Sequence, residues 1–325
     1  MIGLRTALYG IVIVALTLMS GCATIPPELD SPATAHLPRR VELSSTPFYP
    51  QQAYQCGPAA LATVLQVAKV DATPEELTPE VFLPGRKGSL ALELVAATRA
   101  RDRLAYPLDP SPRALLEELA AGRPVLVMQN VALKIAPTWH FAVVIGYDLD
   151  ERTVTLRSGT VERLVMSLRG FMRTWDLADR WAMVVLEPDE LPSNPVLDKY
   201  LKAAAELEAT GRLQAAARAY TRAHEHWPAS PWPALGIANV AYAQGDRATA
   251  ERGYRTALAL DPGHVVANHN LAEVLLARGC VTEARAYAQR ALDGAIGTPL
   301  EQTVRATADK IARTTQPDTC LERSP

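Results

Sequence analysis

The chain has 325 residues, which suits two domains and a linker better than one domain. Hydrophobic residues make up 48% and charged residues 21%, too apolar a balance for a disordered chain. Lys and Arg total 33 against 35 Asp and Glu, a formal net charge of -2, so no basic excess exists to hold phosphates and nucleic acid is not an expected partner.

The first 22 residues read MIGLRTALYGIVIVALTLMSGC. Arg5 and the amino terminus give a short positive region, residues 11–19 an apolar run, and Ser20 and Gly21 a small-residue cleavage site. Residues 1–21 therefore read as a secretory signal peptide. Cys22, directly after Ser20 and Gly21, resembles a bacterial lipobox, which implies a lipid on Cys22 and cleavage before it. Residue 23 is Ala and not Asp, so by analogy with lipoprotein sorting the chain is expected on the outer membrane, facing the periplasm. Such an anchor is a membrane partner without a membrane span. Elsewhere no apolar run approaches the ~18 residues a spanning helix needs. Residues 22–40, with Pro26, Pro27, Pro32 and Pro38, read as a stiff tether.

Residues 41–187 mix strand-like and helical patterns and carry the candidate chemistry. Cys56 is followed by Gly57, Pro58 and an apolar run in which Ala60, Leu61, Val64, Leu65 and Ala68 keep helical spacing. Pro58 suits a helix start, which puts Cys56 at the N-terminal end of a buried helix. The partial positive charge of that end favours a thiolate, the reactive form of a cysteine nucleophile. A thiolate nucleophile needs a proton acceptor, and this segment holds one histidine, His140, opening the β-branched and aromatic run HFAVVIGY. Trp139 precedes it as a shield, and Tyr147 closes the run. LPGRKGS at 83–89 reads as a loop bordering a substrate cleft, and Val125 to Met128 as a central strand. One Cys and one His in this half cannot build a four-ligand zinc site, so no metal or other cofactor is expected.

CGPAAL at 56–61, HFAVVIGY about 85 residues later, and the intervening LPGRKGSLALELVAATR and GRPVLVMQN resemble the bacteriocin-processing (double-glycine) cysteine peptidases, above all stand-alone lipoprotein members with tetratricopeptide repeats. The resemblance implies an α+β papain-like fold, with a Cys-bearing helix packed against an antiparallel sheet carrying His. It implies Cys56 as nucleophile, His140 as its base and a Gln just before the Cys as oxyanion donor. Gln51 is chosen for that role, with Gln52 as the alternative. The Asp that orients the histidine in the family falls on Ser158, which can accept a hydrogen bond but supplies no charge. Asp148 and Asp150 sit at the hairpin turn, the wrong end of the strand.

EPDELPSNPV at 187–196 marks a boundary, and residues 188–196 are expected to be a linker. Beyond it, Gly211, Gly245 and Gly279 recur every 34 residues, as do Ala216, Ala250 and Ala284, Ala223, Ala257 and Ala291, Tyr220 and Tyr254, and Pro228 and Pro262. This period resembles about three tetratricopeptide repeats over 197–298, an all-α solenoid that presents a surface to a protein partner, closed by a cap helix and tail at 299–325. Four cysteines are too few for a disulfide scaffold, but in an oxidising periplasm Cys280 and Cys320 are expected to pair and staple the last repeat to the tail.

The expected function is a lipid-anchored periplasmic cysteine peptidase whose repeats recruit a protein or peptide substrate or partner. Two alternatives use the same residues: a catalytically degenerate peptide-binding scaffold, and an acyl transferase working through the same Cys/His pair.

Overall fold

A computed structural model describes residues 34–51, 55–315 and 317–320. Cys22, the signal segment and Gln52 lie outside the described residues. In chain order the first half comprises β1 (Arg40–Glu42), α1 (Cys56–Val67), α2 (Pro74–Val81), a 3-10 turn (Pro84–Arg86), α3 (Ala91–Arg99), β2 (Leu104–Pro107), α4 (Pro112–Ala120), β3 (Val125–Asn130), β4 (Trp139–Asp148), β5 (Thr153–Ser158), β6 (Val161–Ser167), α5 (Leu168–Asp176) and β7 (Ala182–Leu186). The strands form one antiparallel sheet ordered β2-β7-β3-β4-β5-β6, and β1 pairs with β4.

Alternation along β3 and β4 supplies both faces of the sheet. Leu126, Phe141 and Val143 meet Leu61, Leu65, Leu77 and Leu94 from α1, α2 and α3. Val125, Val127, Ala142 and Val144 face the opposite core with Leu115, Leu119, Phe171 and Trp175 from α4 and α5. Helix α1 is apolar almost all round because it is enclosed: every residue from Gly57 to Leu65 is buried. At ~25 cal/mol per Å2, side chains such as Leu61 and Leu65 each contribute about 2 kcal/mol by leaving water.

Helices α6 (Leu197–Ala209) to α11 (Val281–Ala295) form three antiparallel pairs, with α7 (Leu213–His226), α8 (Pro231–Ala243), α9 (Arg247–Leu260) and α10 (Val265–Ala277) between them; α12 (Glu301–Ala312) closes the array. The period of 34 has a direct physical cause. Ala216, Ala250, Ala284, Ala223, Ala257 and Ala291 are all fully buried where helices cross. Gly211, Gly245 and Gly279 take φ of 77°, 82° and 79° in the turn inside each pair, a left-handed conformation that a Cβ disfavours.

Residues 188–196, expected as a linker, form a docked strap. The Ser193 N–H donates to Glu118 Oε1 at 2.7 Å and its hydroxyl to the Glu117 carbonyl at 3.0 Å. The Tyr200 hydroxyl donates to the Pro188 and Glu190 carbonyls at 2.8 and 3.0 Å. Tyr200, Ala204 and Leu207 of α6 share one continuous core with β2 and α4, so the first repeat completes the sheet domain. The sheet also begins within the segment expected to be tether, since Arg40 opens β1 and the Arg39 guanidinium pairs with Asp150 at 2.7 Å.

At the far end, a disulfide joins Cys280, which precedes α11, to Cys320. The returning tail is fixed further by Thr319 N–H to the Gly279 carbonyl at 3.0 Å and Thr282 N–H to Asp318 Oδ2 at 2.9 Å. His264, in the turn before α10, is buried, and its Nδ1 caps that helix by accepting the Ala267 N–H at 3.3 Å.

Candidate active site

Cys56 is the first residue of α1 and His140 the second of β4, so the element that carries each is the one its sequence neighbourhood implies. Both line a single cleft of about 610 Å3, together with Gln51 on the segment before α1, the 86–90 loop and the 137–139 end of the β3–β4 connection. The remaining first-choice residue, Ser158, ends β5 and is buried. Its Oγ lies 2.9 Å from His140 Nε2. The alternative carboxylates are remote. Asp150 pairs with Arg39, and Asp148 lies 3.7 Å from Arg40, at the turn end of the hairpin.

The Nε2 contact assigns chemical roles to the imidazole. For His140 to accept a proton on Nδ1, the neutral ring must carry its hydrogen on Nε2, and Ser158 Oγ then accepts from it. Ser158 Oγ can equally donate to a bare Nε2, so the contact orients the ring and is compatible with a basic Nδ1 without selecting that tautomer. It adds no negative charge, so nothing at this position stabilises an imidazolium as an Asp would.

Cys56 meets opposing influences. Burial pushes its thiol up; the backbone N–H groups of Phe141, Gly57 and Cys56 itself pull in the other direction and do not cancel it. Burial also pushes the His140 imidazole down. This runs against the expectation of a thiolate held by the helix end: desolvation raises the Cys56 thiol and lowers the His140 imidazole, so burial disfavours the charged form of each. The backbone N–H groups around the sulfur nevertheless direct their partial positive charge towards it. The contact with the Phe141 N–H places the thiol against the residue that follows His140 in the strand.

Gln51 is positioned through its backbone. Its N–H donates to the Gly159 carbonyl at 3.0 Å, one residue past Ser158. Further back, the buried Arg157 guanidinium donates to the Thr46 carbonyl at 2.7 and 3.0 Å, the Ser44 carbonyl at 2.9 Å and the Glu162 carbonyl at 2.7 Å. One side chain on β5 therefore ties down the segment that delivers Gln51. The sequence did carry a signal for it: an arginine set in the apolar strand TVTLRS must satisfy its donors internally.

Gly57 and Ser89 fit closely. A Cβ at Gly57 would stand 2.2 Å from Ser89 Oγ, so only glycine lets the 83–89 loop seat on the helix start. Trp139 is half exposed in the cleft, whereas Tyr147 is buried at the other end of β4 with its hydroxyl donating to the Pro38 carbonyl at 2.9 Å. Among the described residues no group of three or more His, Cys, Asp or Glu is placed to hold a metal ion.

Residues 43–161 match the model of the Peptidase_C39 like family, and residues 241–295 match the model of the Tetratricopeptide repeat. Among solved structures, a C39-like peptidase from Bacillus anthracis is similar over 45% of this chain and 97% of its own, at 19% identity and a TM-score of 0.38. The Yersinia enterocolitica type III secretion chaperone SycD, in complex with a peptide of the translocator YopD, is similar over 36% of this chain and 92% of its own, at 19% identity and a TM-score of 0.34. PcrH from Pseudomonas aeruginosa is similar over 36% of this chain and 91% of its own, at 16% identity and a TM-score of 0.33. No curated protein matches the chain.

Proposed function

We propose that this chain, a C39-peptidase-like domain joined to tetratricopeptide repeats, is a cysteine peptidase tethered by a lipid on Cys22 to the bacterial outer membrane and working in the periplasm. The observation that carries the reading is the convergence of Cys56, His140 and Gln51 on one cleft, with the imidazole held by Ser158. As Cys56 Sγ attacks a peptide carbonyl, its proton passes to His140 Nδ1. The oxyanion is met by the Cys56 N–H and the Gln51 side chain. His140 then gives its proton to the leaving amine, and water, deprotonated by the same imidazole, releases the acyl group from the sulfur. The repeats recruit the protein substrate or a partner that brings it.

Digestion of a peptide library by the full chain in neutral detergent, read as new termini by mass spectrometry, tests this proposal. Cleavage that disappears in Cys56→Ala and His140→Ala supports it. The presence of Ser158 in place of a carboxylate favours a second reading, a peptide-binding scaffold without turnover. That reading predicts peptide binding by the wild type with no new termini. Transfer of the acyl group to an added amine, at the expense of hydrolysis, would identify an acyl transferase.

A further inference from the structure

We propose that the cleft selects substrates with an acidic side chain next to a bulky apolar one, close to the bond presented to Cys56; this rests on the peptidase reading above. One wall of the cleft carries Arg86 and Lys87, the other the half-exposed indole of Trp139. Arg86 and Lys87 are exposed, and neither side chain pairs with a carboxylate among the described residues. Their neighbours behave differently. Arg101 is held by Glu80 at 2.8 Å and Arg99 by Glu206 at 2.5 Å, so those cations are already engaged while Arg86 and Lys87 are not. No Asp or Glu lines the described cleft.

The cations are not on a floppy excursion. The Leu83 N–H donates to the Gly88 carbonyl at 2.8 Å, and the Arg86 and Lys87 N–H groups donate to the Leu83 and Pro84 carbonyls at 3.0 and 3.1 Å. Lys87 takes a left-handed φ of 49°, a conformation costly for a residue with a Cβ and retained here by the closed turn. Ser89 packs closely against Gly57, next to Cys56. Arg86 and Lys87 are thus set at a defined place relative to Cys56. A guanidinium free of internal partners suits a carboxylate fork, and the attraction is one that salt screens. The exposed Trp139 face offers contact area to a neighbouring apolar or aromatic side chain.

The test compares the rates at which iodoacetate, an anion, and iodoacetamide, its neutral analogue, alkylate Cys56 in the full chain in uncharged detergent at low salt. The same ratio for N-acetylcysteine is the reference. The expected ratio is about fivefold above the reference and falls towards it in about 1 M salt. Backbone donors at the sulfur also favour an anion, so the deciding arm is Arg86→Glu/Lys87→Glu, with Arg86→Gln/Lys87→Gln as the milder pair. The ratio should drop in both, further in the first. In parallel, acetyl-Ala-Glu-Phe-Ala-amide should protect Cys56 from iodoacetamide at severalfold lower concentration than its Gln counterpart. A ratio unchanged by both double variants, or equal protection by the two peptides, overturns the selectivity and leaves the nucleophile intact. If iodoacetamide alkylates Cys56 only in denatured protein, the peptidase reading falls and the selectivity with it.

Discussion

His140 Nε2 and Ser158 Oγ are 2.9 Å apart, joining the start of β4 to the end of β5. The hydroxyl orients the imidazole without adding charge, and the effects of orientation and charge can be separated by substitution. Ser158→Ala should lower kcat/KM about tenfold, the value of one hydrogen bond of roughly 1.4 kcal/mol. Ser158→Asp should raise the His140 pKa and increase alkylation of Cys56 at pH 7, because an anion then stabilises the imidazolium. Equal rates for all three proteins across the pH range would show that the contact has no role in proton transfer.

The pH behaviour follows from burial of both reactive groups. The thiol is pushed above its ordinary value of 9.0 and the imidazole below 6.5. Burial thus disfavours an ion pair, and activity should fall as acid protonates His140 through its depressed pKa. Thiolate absorbance near 240 nm, taken as the difference between wild type and Cys56→Ser, should rise at higher pH than that of a free cysteine thiol such as N-acetylcysteine. A thiolate band at pH 6–7 would mean that an ion pair is the resting state.

Gln51 and Arg157 should differ in what their loss does. Gln51→Ala removes an oxyanion donor and should lower kcat by about 100-fold or more while KM and thermal stability hold. Arg157→Leu leaves the buried Thr46 carbonyl without its partner and frees the segment before Gln51. It should destabilise the fold by about 2–4 kcal/mol and lower activity, with a drop in melting temperature that Gln51→Ala does not show. An Arg157→Leu protein of wild-type melting temperature and activity would contradict the positioning role.

Much of this site could be read from the chain because its signals are local. Gly-Pro after Cys56, and apolar residues at helical spacing, identify a buried helix start. His140 opens a run of strand formers. The repeat glycines report one left-handed turn three times over. What local pattern could not supply was the balance of forces at the sulfur: a helix end is visible in sequence, but the burial that opposes it depends on Phe141 and a sheet assembled from distant segments. The docking of residues 188–196 was hidden for a related reason. Three prolines and polar clusters read as a break, while the partners that hold the strap, Glu117 and Glu118, lie about 75 residues earlier. Arg40 likewise looked like tether because its strand is only three residues long and gains its meaning from pairing with β4.

The disulfide should matter for stability and leave the cleft untouched. Cys280 and Cys320 are separated by 40 residues, so Cys280→Ser/Cys320→Ser should cost the repeats up to about 4 kcal/mol. Differential scanning calorimetry should show the loss, while Cys56 alkylation stays at the wild-type rate. No change in melting temperature would indicate that the tail contacts at Gly279 and Thr282 already hold the end of the array.

The most direct test of the account is the library digestion carried out side by side with wild type, Cys56→Ala, His140→Ala and Gln51→Ala. The account predicts new peptide termini from wild type, strongly reduced yield from Gln51→Ala, and none from the other two. Peptides bound by the wild type but left uncut, or cuts that persist in Cys56→Ala, would contradict it.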